Sequence, residues 1–211
     1  MTDKIKKPTM KDREVRKFAH FDIRSADAGE GEQDELYVEG YAATFDEPTV
    51  LFEFDGVEYK EQLDDKAFAE ADMSDVIFNY NHAGKVMART RNQTLQLSVD
   101  DKGLHVRARL DGTEEGRKLY EEINGGYIDR MSFAFTVSES SYDRENHTRT
   151  IRKVKKLYDV SAVDIPAYDT TSLSARSFFE AEAEKEKKAL ARAKKRDEVK
   201  RNILKAIAKS N

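Results

Sequence analysis

The sequence predicts a mainly β protein with surrounding helices, an α+β fold whose strands form an antiparallel barrel or sandwich, followed by a charged C-terminal helix. Three observations predict this fold. Apolar residues alternate with polar ones at period two in several short segments between residues 18 and 177. A glycine-containing turn separates two of these segments. Residues 180–211 are dominated by Ala, Glu, Lys and Arg, which favour helix.

The clearest strand pair is a hairpin. Leu95, Leu97 and Val99 alternate with polar residues, and the same alternation resumes after the turn 100–103 and continues to Leu110. Two alternating segments joined by a turn that contains glycine are typical of a β-hairpin. Further strands are predicted where the alternation recurs, in residues 38–43, 133–137 and 154–162.

Two helices are predicted between the strands. The first covers Asp64–Met73, with Asp64 or Asp65 as its N-cap. The second begins near Thr113 and ends at the glycine pair 125–126, because a residue just past a helix end takes a positive φ that glycine adopts most readily. The polar segment 138–149 is predicted to be an exposed loop.

The C-terminal helix is predicted to begin at Ser177, which has capping-box spacing to Glu180. Its apolar residues do not keep a heptad, so a coiled coil is not favoured. We therefore expect a basic flexible arm over residues 1–17, a compact domain over 18–177, and a charged helical tail over 178–211.

The composition excludes several classes of function. The 211 residues contain no cysteine, which excludes disulfides, thiolate nucleophiles and Cys-ligated metals and suits a reducing cytoplasm. Residues 1–17 hold seven Lys/Arg and three Asp/Glu, a net charge of +4, and residues 180–211 hold eleven Lys/Arg and six Asp/Glu, a net charge of +5. Since the whole chain has a net charge of −4, the body between these ends carries −13. Because such a body repels phosphate backbones, we expect no nucleic acid bound by the core.

The two basic ends have a simple interpretation as solvated charged tails, with an acidic partner or nucleic acid as the alternative. The start of the chain is lysine-rich and has no apolar core segment, so no secretory signal is expected. No stretch approaches 18 consecutive apolar residues, so no membrane span is expected.

Of the four histidines, His82 is the candidate for chemistry. It follows the strand-like run 76–81 and precedes a loop with a glycine, a position from which a side chain can meet a substrate. A structural hydrogen bond is the alternative. No two histidines have the i, i+4 spacing of a helical metal site, so no metal is expected. His105 lies on an outward strand face, His147 in a polar segment and His20 before the first strand.

Ser132 is the candidate nucleophile. It opens a predicted strand in which alternation places the small residues Ser132, Ala134 and Thr136 on one face and bulky apolar residues on the other. A hydroxyl among small residues leaves room for a substrate carbonyl, although an ordinary strand serine is the alternative. The sequence has no Gly-x-Ser-x-Gly elbow, which excludes an α/β-hydrolase.

Asp159 is an acid inside the otherwise apolar segment 157–167. Burial of an unpaired carboxylate is costly, so this side chain requires a partner, and an imidazole is suitable. Asp164 lies on the opposite alternation and is the alternative acid.

Four of these segments, taken together and in order, resemble the maturation proteases of tailed-phage proheads, which are themselves similar to the herpesvirus assemblins. The segments are 79–82, 101–104, 125–135 and 159–167, and the resemblance covers about residues 39–174. It implies a closed antiparallel β-barrel of the herpesvirus-protease type, wrapped by helices.

The same resemblance implies a serine endopeptidase with Ser132 as nucleophile, His82 as general base and Asp159 as the third member, with Asp164 as the alternative. Many relatives have Glu where this chain has Asp159, so the shorter side chain could shift the role to Asp164. The usual Pro-Gly-Ala-Phe before the first helix is replaced here by residues 65–68. Oxyanion donors are expected among the backbone N–H groups of residues 165–170.

The resemblance also implies a substrate: the scaffold protein or extensions of the major capsid protein, removed inside the procapsid in the host cytoplasm. It implies self-cleavage, expected within residues 170–211, with a tail that tethers the enzyme to scaffold as the alternative. No cofactor is expected. The number of subunits is left open, with a homo-oligomer as one option. The competing hypothesis is a non-catalytic β-barrel that binds scaffold or capsid protein during assembly.

Overall fold

The structure, a computed structural model, describes residues 13–16, 23–26, 35–164 and 173–209. The chain divides into two compact units, residues 1–174 and 175–211. Strands dominate the first unit, and helix α2 makes up the second. None of the described helices combines the length and the apolar character that a membrane span requires.

The first unit contains eleven described strands, a short 3₁₀ turn (Thr90–Asn92) and one α-helix. In chain order these are β1 Glu14–Arg16, β2 Ile23–Ala26, β3 Tyr37–Thr44, β4 Thr49–Phe54, β5 Val57–Leu63, β6 Ile77–Tyr80, β7 Ala83–Arg89, β8 Leu95–Val99, β9 Gly103–Arg109, α1 Glu114–Asn124, β10 Arg130–Asp143 and β11 Thr148–Val163. Helix α2 covers Leu173–Lys209.

The strands form two sheets. In the larger one β10 and β11 make a long antiparallel hairpin, with β1 beside β10, β5 beside β11 and β4 beside β5. The smaller sheet has the order β2-β3-β9-β8. Strand β11 is long enough to have two parallel partners on one edge: β5 along residues 148–151 and β6 along residues 159–162. The second of these pairings positions the candidate site.

The prediction of a mainly β, α+β fold is confirmed, but the prediction of a closed barrel is wrong. Over the described residues both sheets are open, and each ends in strands that have a neighbour on one side. The period-two pattern requires a buried face for each strand but does not say whether the edge strands meet. Here the apolar faces of the two sheets are buried in one shared core, without closure of either sheet into a barrel.

The core contains residues of both sheets, including Val106 from the smaller sheet and Phe133 from the larger. The rings of Phe133 and Phe135 stack with centroids 4.7 Å apart, and Phe68 packs edge-on against Phe133 at 6.2 Å. Residues 131–136 are all buried, so β10 is covered on both faces at this point. Ser132 therefore lies in an enclosed environment rather than on a solvated face.

The hairpin prediction and the second helix prediction are confirmed. Strands β8 and β9 pair antiparallel around the turn at residues 100–102. Helix α1 begins after Thr113, whose hydroxyl accepts the N–H of Gly116, and it is followed by Gly126 with φ of 73°. The cap and the left-handed glycine are local features, so the sequence was sufficient to place both ends.

The first predicted helix is wrong: residues 65–70 form a series of turns. The N–H of Ala67 bonds to the carbonyl of Asp64, three residues back, and the Ala67 carbonyl accepts the N–H of Val154 on β11. Because β11 takes this acceptor, it is not available to continue an α-helix.

Two further local predictions fail. Residues 138–149 are largely strand, because β10 and β11 extend to Asp143 and from Thr148. Helix α2 begins at Leu173, four residues before the predicted cap at Ser177.

Candidate functional site

The candidate site lies where β10, β11 and β6 run side by side. Ser132 on β10 is the register partner of Ser161 on β11, and Ser161 is the register partner of Asn79 on β6. These three polar residues therefore form one row across the sheet. Asp159 is two residues from Ser161 and shares its face, because side chains alternate along a strand. Ser132, Ser161 and Asn79 are buried, as is Asp159.

His82 reaches this row from a tight turn between β6 and β7. Tyr80 and Ala83 pair across the hairpin, which leaves Asn81 and His82 as its two-residue loop. Their φ angles are 50° and 57°, the positive values that a type I′ turn requires at both central positions. The N–H of Asn81 donates to the carbonyl of Ala162 at 3.0 Å, which fastens the turn to the end of β11.

The imidazole of His82 bridges the nucleophile candidate and the acid candidate. His82 Nδ1 is 2.5 Å from Asp159 Oδ1, and His82 Nε2 is 2.6 Å from Ser132 Oγ. The side chain of His82 is 17% exposed, whereas Ser132 is fully buried. The structure thus brings together the three residues, separated by 50 and 27 positions in the sequence, that were predicted to meet.

The alternative acid has a different partner. Asp164 lies just beyond the end of β11, and its Oδ2 accepts a hydrogen bond from the hydroxyl of Tyr80 at 2.8 Å. This hydrogen bond raises the pKa of Tyr80. The predicted oxyanion donors, residues 165–170, lie outside the described residues.

Sequence reasoning missed three residues that contact the site. Ser161 Oγ lies 3.1 Å from Asp159 Oδ1 and also touches Asn79 and His82. The carbonyl oxygen of Arg16 accepts a hydrogen bond from Ser132 Oγ at 2.9 Å. Ser161 could have been found from its alternation with Asp159. Asn79 and Arg16 give no such signal, because their placement depends on the pairing of remote strands.

Strand β1 is held beside the site by a buried ionic cluster of two arginines and two glutamates. Arg16 binds Glu14 and Glu61, and Arg149 donates to Glu14 Oε2 at 2.9 Å and to Glu61 Oε2 at 3.0 Å. Burial alone would raise the pKa of Glu14, but Arg16 and Arg149 hold that pKa below its ordinary value. Burial opposes the charged form of Arg16, yet Glu61 and Glu14 raise its pKa. Both shifts favour the charged forms of Glu14 and Arg16.

His105 and His147 take part in ring contacts away from this row, and His20 lies outside the described residues. His105 packs edge-on against Tyr41 with centroids 5.1 Å apart, and His147 lies 5.2 Å from the ring of Tyr59. In the part of the chain that the structure describes, no three His, Asp or Glu side chains are grouped as ligands for a metal ion.

A carboxylate, an imidazole and a hydroxyl connected in this order can activate the hydroxyl as a nucleophile. The carboxylate accepts a hydrogen bond from Nδ1–H, which leaves the lone pair of Nε2 free to accept a proton from the hydroxyl. This arrangement suits acyl transfer, in which a serine oxygen attacks a carbonyl carbon.

Similarity to known proteins identifies the family of this chain. No curated protein sequence matches the chain. The capsid assembly protease gp21 of bacteriophage T4 is a solved structure that resembles it, with 16% sequence identity and a TM-score of 0.48, over 74% of this chain and 99% of the gp21 chain. Residues 19–186 match the sequence model of the caudovirus prohead serine proteases, and the chain belongs to that family.

Proposed function

We propose that the protein is a serine endopeptidase that cleaves scaffold protein or extensions of the major capsid protein inside the phage procapsid, in the host cell cytoplasm. Ser132 is the nucleophile, His82 the general base and Asp159 the acid that orients His82. The observation that carries this assignment is the His82 ring, which is bonded through Nδ1 to Asp159 and through Nε2 to Ser132. Membership of the prohead serine proteases supports the reaction and its setting.

In the first half of the reaction, Ser132 Oγ attacks the carbonyl carbon of the scissile peptide bond while its proton passes to His82 Nε2. The tetrahedral intermediate then collapses as the C–N bond breaks, and His82 returns the proton to the leaving amine. The second half repeats these steps with water, which releases the new carboxyl end and restores the Ser132 hydroxyl. Acid–base assistance of this kind contributes roughly 10²–10⁴ in rate.

Asp159 has two effects in this scheme. It fixes the tautomer in which His82 Nδ1 carries the proton, and its negative charge stabilises the imidazolium that forms when Nε2 accepts a second proton. Both effects depend on the 2.5 Å contact between Asp159 Oδ1 and Nδ1. The shorter side chain, compared with the Glu of many relatives, still reaches the ring because β11 and β6 are adjacent.

The 2.6 Å contact between Ser132 Oγ and His82 Nε2 favours catalysis over the competing hypothesis of a non-catalytic assembly module. A module that only bound scaffold or capsid protein would have no need to place an imidazole between a hydroxyl and a carboxylate.

The decisive experiment is co-expression of the full chain with its cognate capsid and scaffold proteins, read by mass spectrometry. We expect truncated capsid or scaffold chains with the wild type and full-length chains with Ser132→Ala. Thr136→Val, a change to a buried hydroxyl on the same strand, is the matched control and should leave cleavage intact. Equal cleavage by wild type and Ser132→Ala would contradict the proposal.

We also propose that the enzyme cleaves itself within residues 170–211 and so releases the charged helical tail. Division of the chain into two units at residues 174 and 175 supports a separable tail. The intact mass of the purified wild type should be lower than that of Ser132→Ala by the mass of the released segment. Identical full-length masses would contradict self-cleavage and leave the main proposal standing.

A further inference from the structure

Ser161 Oγ occupies the centre of the site, between the turn that carries His82 and the acid that binds it. It is 3.2 Å from the backbone N of His82, 3.2 Å from His82 Nδ1 and 3.1 Å from Asp159 Oδ1, and it contacts Asn79 Oδ1. Ser161 is fully buried and Asn79 is 4% exposed. A buried hydroxyl with this many polar neighbours has few ways to direct its single proton.

The first function of Ser161 is to hold the backbone of His82. His82 has a φ of 57°, a left-handed conformation that is unfavourable for a residue with a Cβ atom. In a two-residue hairpin loop the N–H of the second loop residue has no partner within the ladder. Ser161 Oγ supplies this acceptor, and the N–H of the preceding Asn81 bonds to Ala162. Both loop N–H groups are thereby tied to β11.

The second function of Ser161 concerns the single hydrogen of its hydroxyl group. The Ser161 hydroxyl carries one hydrogen, and two acceptors compete for it: Asn79 Oδ1 and Asp159 Oδ1. In the tautomer that the proposed mechanism requires, His82 Nδ1 carries a hydrogen and donates it to Asp159, so Nδ1 is not an acceptor for Ser161. Because Asp159 Oδ1 already accepts a hydrogen bond from His82, the Ser161 hydroxyl donates to Asn79 Oδ1. Asp159 Oδ1 then accepts from His82 Nδ1 without competition from Ser161.

We propose that Ser161 is a positioning residue of the candidate active site. Asn79 sets the direction of the Ser161 hydroxyl, so that Asp159 Oδ1 accepts its hydrogen bond from His82 and not from Ser161. This inference rests on the proposed function for its effect on rate, but its structural content concerns the hydrogen bond between His82 and Asp159. Neither Ser161 nor Asn79 contacts the nucleophile's oxygen, so both act through His82 and Asp159.

The experiment compares the full chain with Ser161→Ala, Asn79→Ala and the double variant, with Thr136→Val as the control. All four are prepared in the Ser132→Ala background, in which self-cleavage cannot occur, for ¹H and ¹⁵N NMR of labelled histidine rings. The same substitutions in the active background are assayed for cleavage of the capsid or scaffold substrate. Thermal melts establish that each variant is folded.

For Ser161→Ala we expect loss of the downfield Nδ1 proton signal of His82 and mixing of its two ring tautomers, because the turn is no longer held. Displacement of a catalytic group by about 1 Å costs on the order of 10²-fold, so kcat should fall roughly 10- to 100-fold with little change in KM. For Asn79→Ala, the Ser161 proton turns to Asp159 and competes with His82. The Nδ1 proton signal should then move upfield, and kcat should fall by a few-fold.

The double variant should behave like Ser161→Ala alone, because Asn79 acts through Ser161. A His82 signal unchanged from the parent in both single variants would overturn the inference, and so would additive effects in the double variant. If Ser161→Ala does not fold, Asn79→Ala alone tests the inference, because an unchanged Nδ1 proton signal of His82 in that variant contradicts the role of Asn79. If the wild type cleaves nothing, the proposed function fails, but the NMR comparison still tests the positioning.

Discussion

The hydroxyl oxygen of Ser132 lies 2.9 Å from the carbonyl oxygen of Arg16, on the strand that borders it. The single hydroxyl proton therefore has two acceptors, this carbonyl and His82 Nε2 at 2.6 Å. Ser132 is also fully buried, so a substrate carbonyl can reach it only after local rearrangement. Strand β1 pairs directly with the strand of Ser132, with Arg16 opposite Phe133.

This contact predicts that strand β1 limits the reactivity of Ser132 in the free protein. A variant that begins at Lys17 lacks the competing carbonyl, and it should react several-fold faster with a fluorophosphonate probe than the full chain. The measurement is the rate of covalent labelling by intact mass, with Ser132→Ala as the unlabelled control.

A second variant tests the same role of β1 in case the deletion prevents folding. Val15→Gly keeps Arg16 and Glu14 but makes β1 more flexible, because glycine in a strand loses more conformational entropy on folding, and this weakens the pairing of β1 with β10. It should also label faster. Equal labelling rates in both variants and the wild type, with native circular dichroism, would rule out this role for β1.

The two acids near the end of β11 should differ sharply in activity assays. Asp159→Asn removes the charge that orients His82 and stabilises its imidazolium, so kcat should fall by about 10³–10⁴. Asp164→Asn changes a hydrogen bond with Tyr80 and should stay within a few-fold of wild type. Initial rates of cleavage of the same substrate provide the comparison. A larger loss for Asp164→Asn would transfer the role to that residue.

The buried ionic cluster should be costly to break. Glu61 is fully buried and binds both arginines, so Glu61→Gln leaves excess positive charge in the interior. Removal of one partner from a buried ionic pair costs about 3–5 kcal/mol, which we expect as the decrease in the free energy of unfolding in urea.

The matched control is an exposed pair. Lys118 and Glu114 form an i, i+4 pair on α1 in which both side chains are more than half exposed. Lys118→Ala should change the free energy of unfolding by less than about 1 kcal/mol. Similar losses for Glu61→Gln and Lys118→Ala would show that the cluster contributes no more than a surface pair.

The lowered pKa of Glu14 predicts a stability that depends on pH. The ordinary value is 4.5, and the folded chain holds the pKa below this, so the unfolded chain binds the proton more readily. The stabilisation is complete above pH 4.5 and is lost as the pH falls through the folded pKa. Urea unfolding at a series of pH values between 7 and 3 measures this loss.

Glu14→Gln should reduce the steepness of the decline in this acidic range, at the cost of lower stability at pH 7. Glu145→Gln, in the exposed turn between β10 and β11, should keep the wild-type profile. A Glu14→Gln profile parallel to that of the wild type would mean that Glu14 does not contribute to the acid sensitivity.

Local patterns predicted several elements well. The β8–β9 hairpin and helix α1 were identified because an alternating pattern, a capping threonine and a glycine pair act over only a few residues. The series of turns at residues 65–70 was misread as a helix because its outcome depends on Val154, a hydrogen-bond donor 87 positions from Ala67. That contact cannot be read from the segment itself.

The sequence by itself determined the mainly β class, the candidates Ser132, His82 and Asp159, and the family resemblance that named their roles. Tertiary structure alone decided that the sheets are open, that Asp159 rather than Asp164 binds His82, and that Arg16 and Asn79 contact residues of the site. The physical reason is that alternation specifies which face of a strand is buried. Which strands pair, and in which register, depends on packing between residues far apart in the chain.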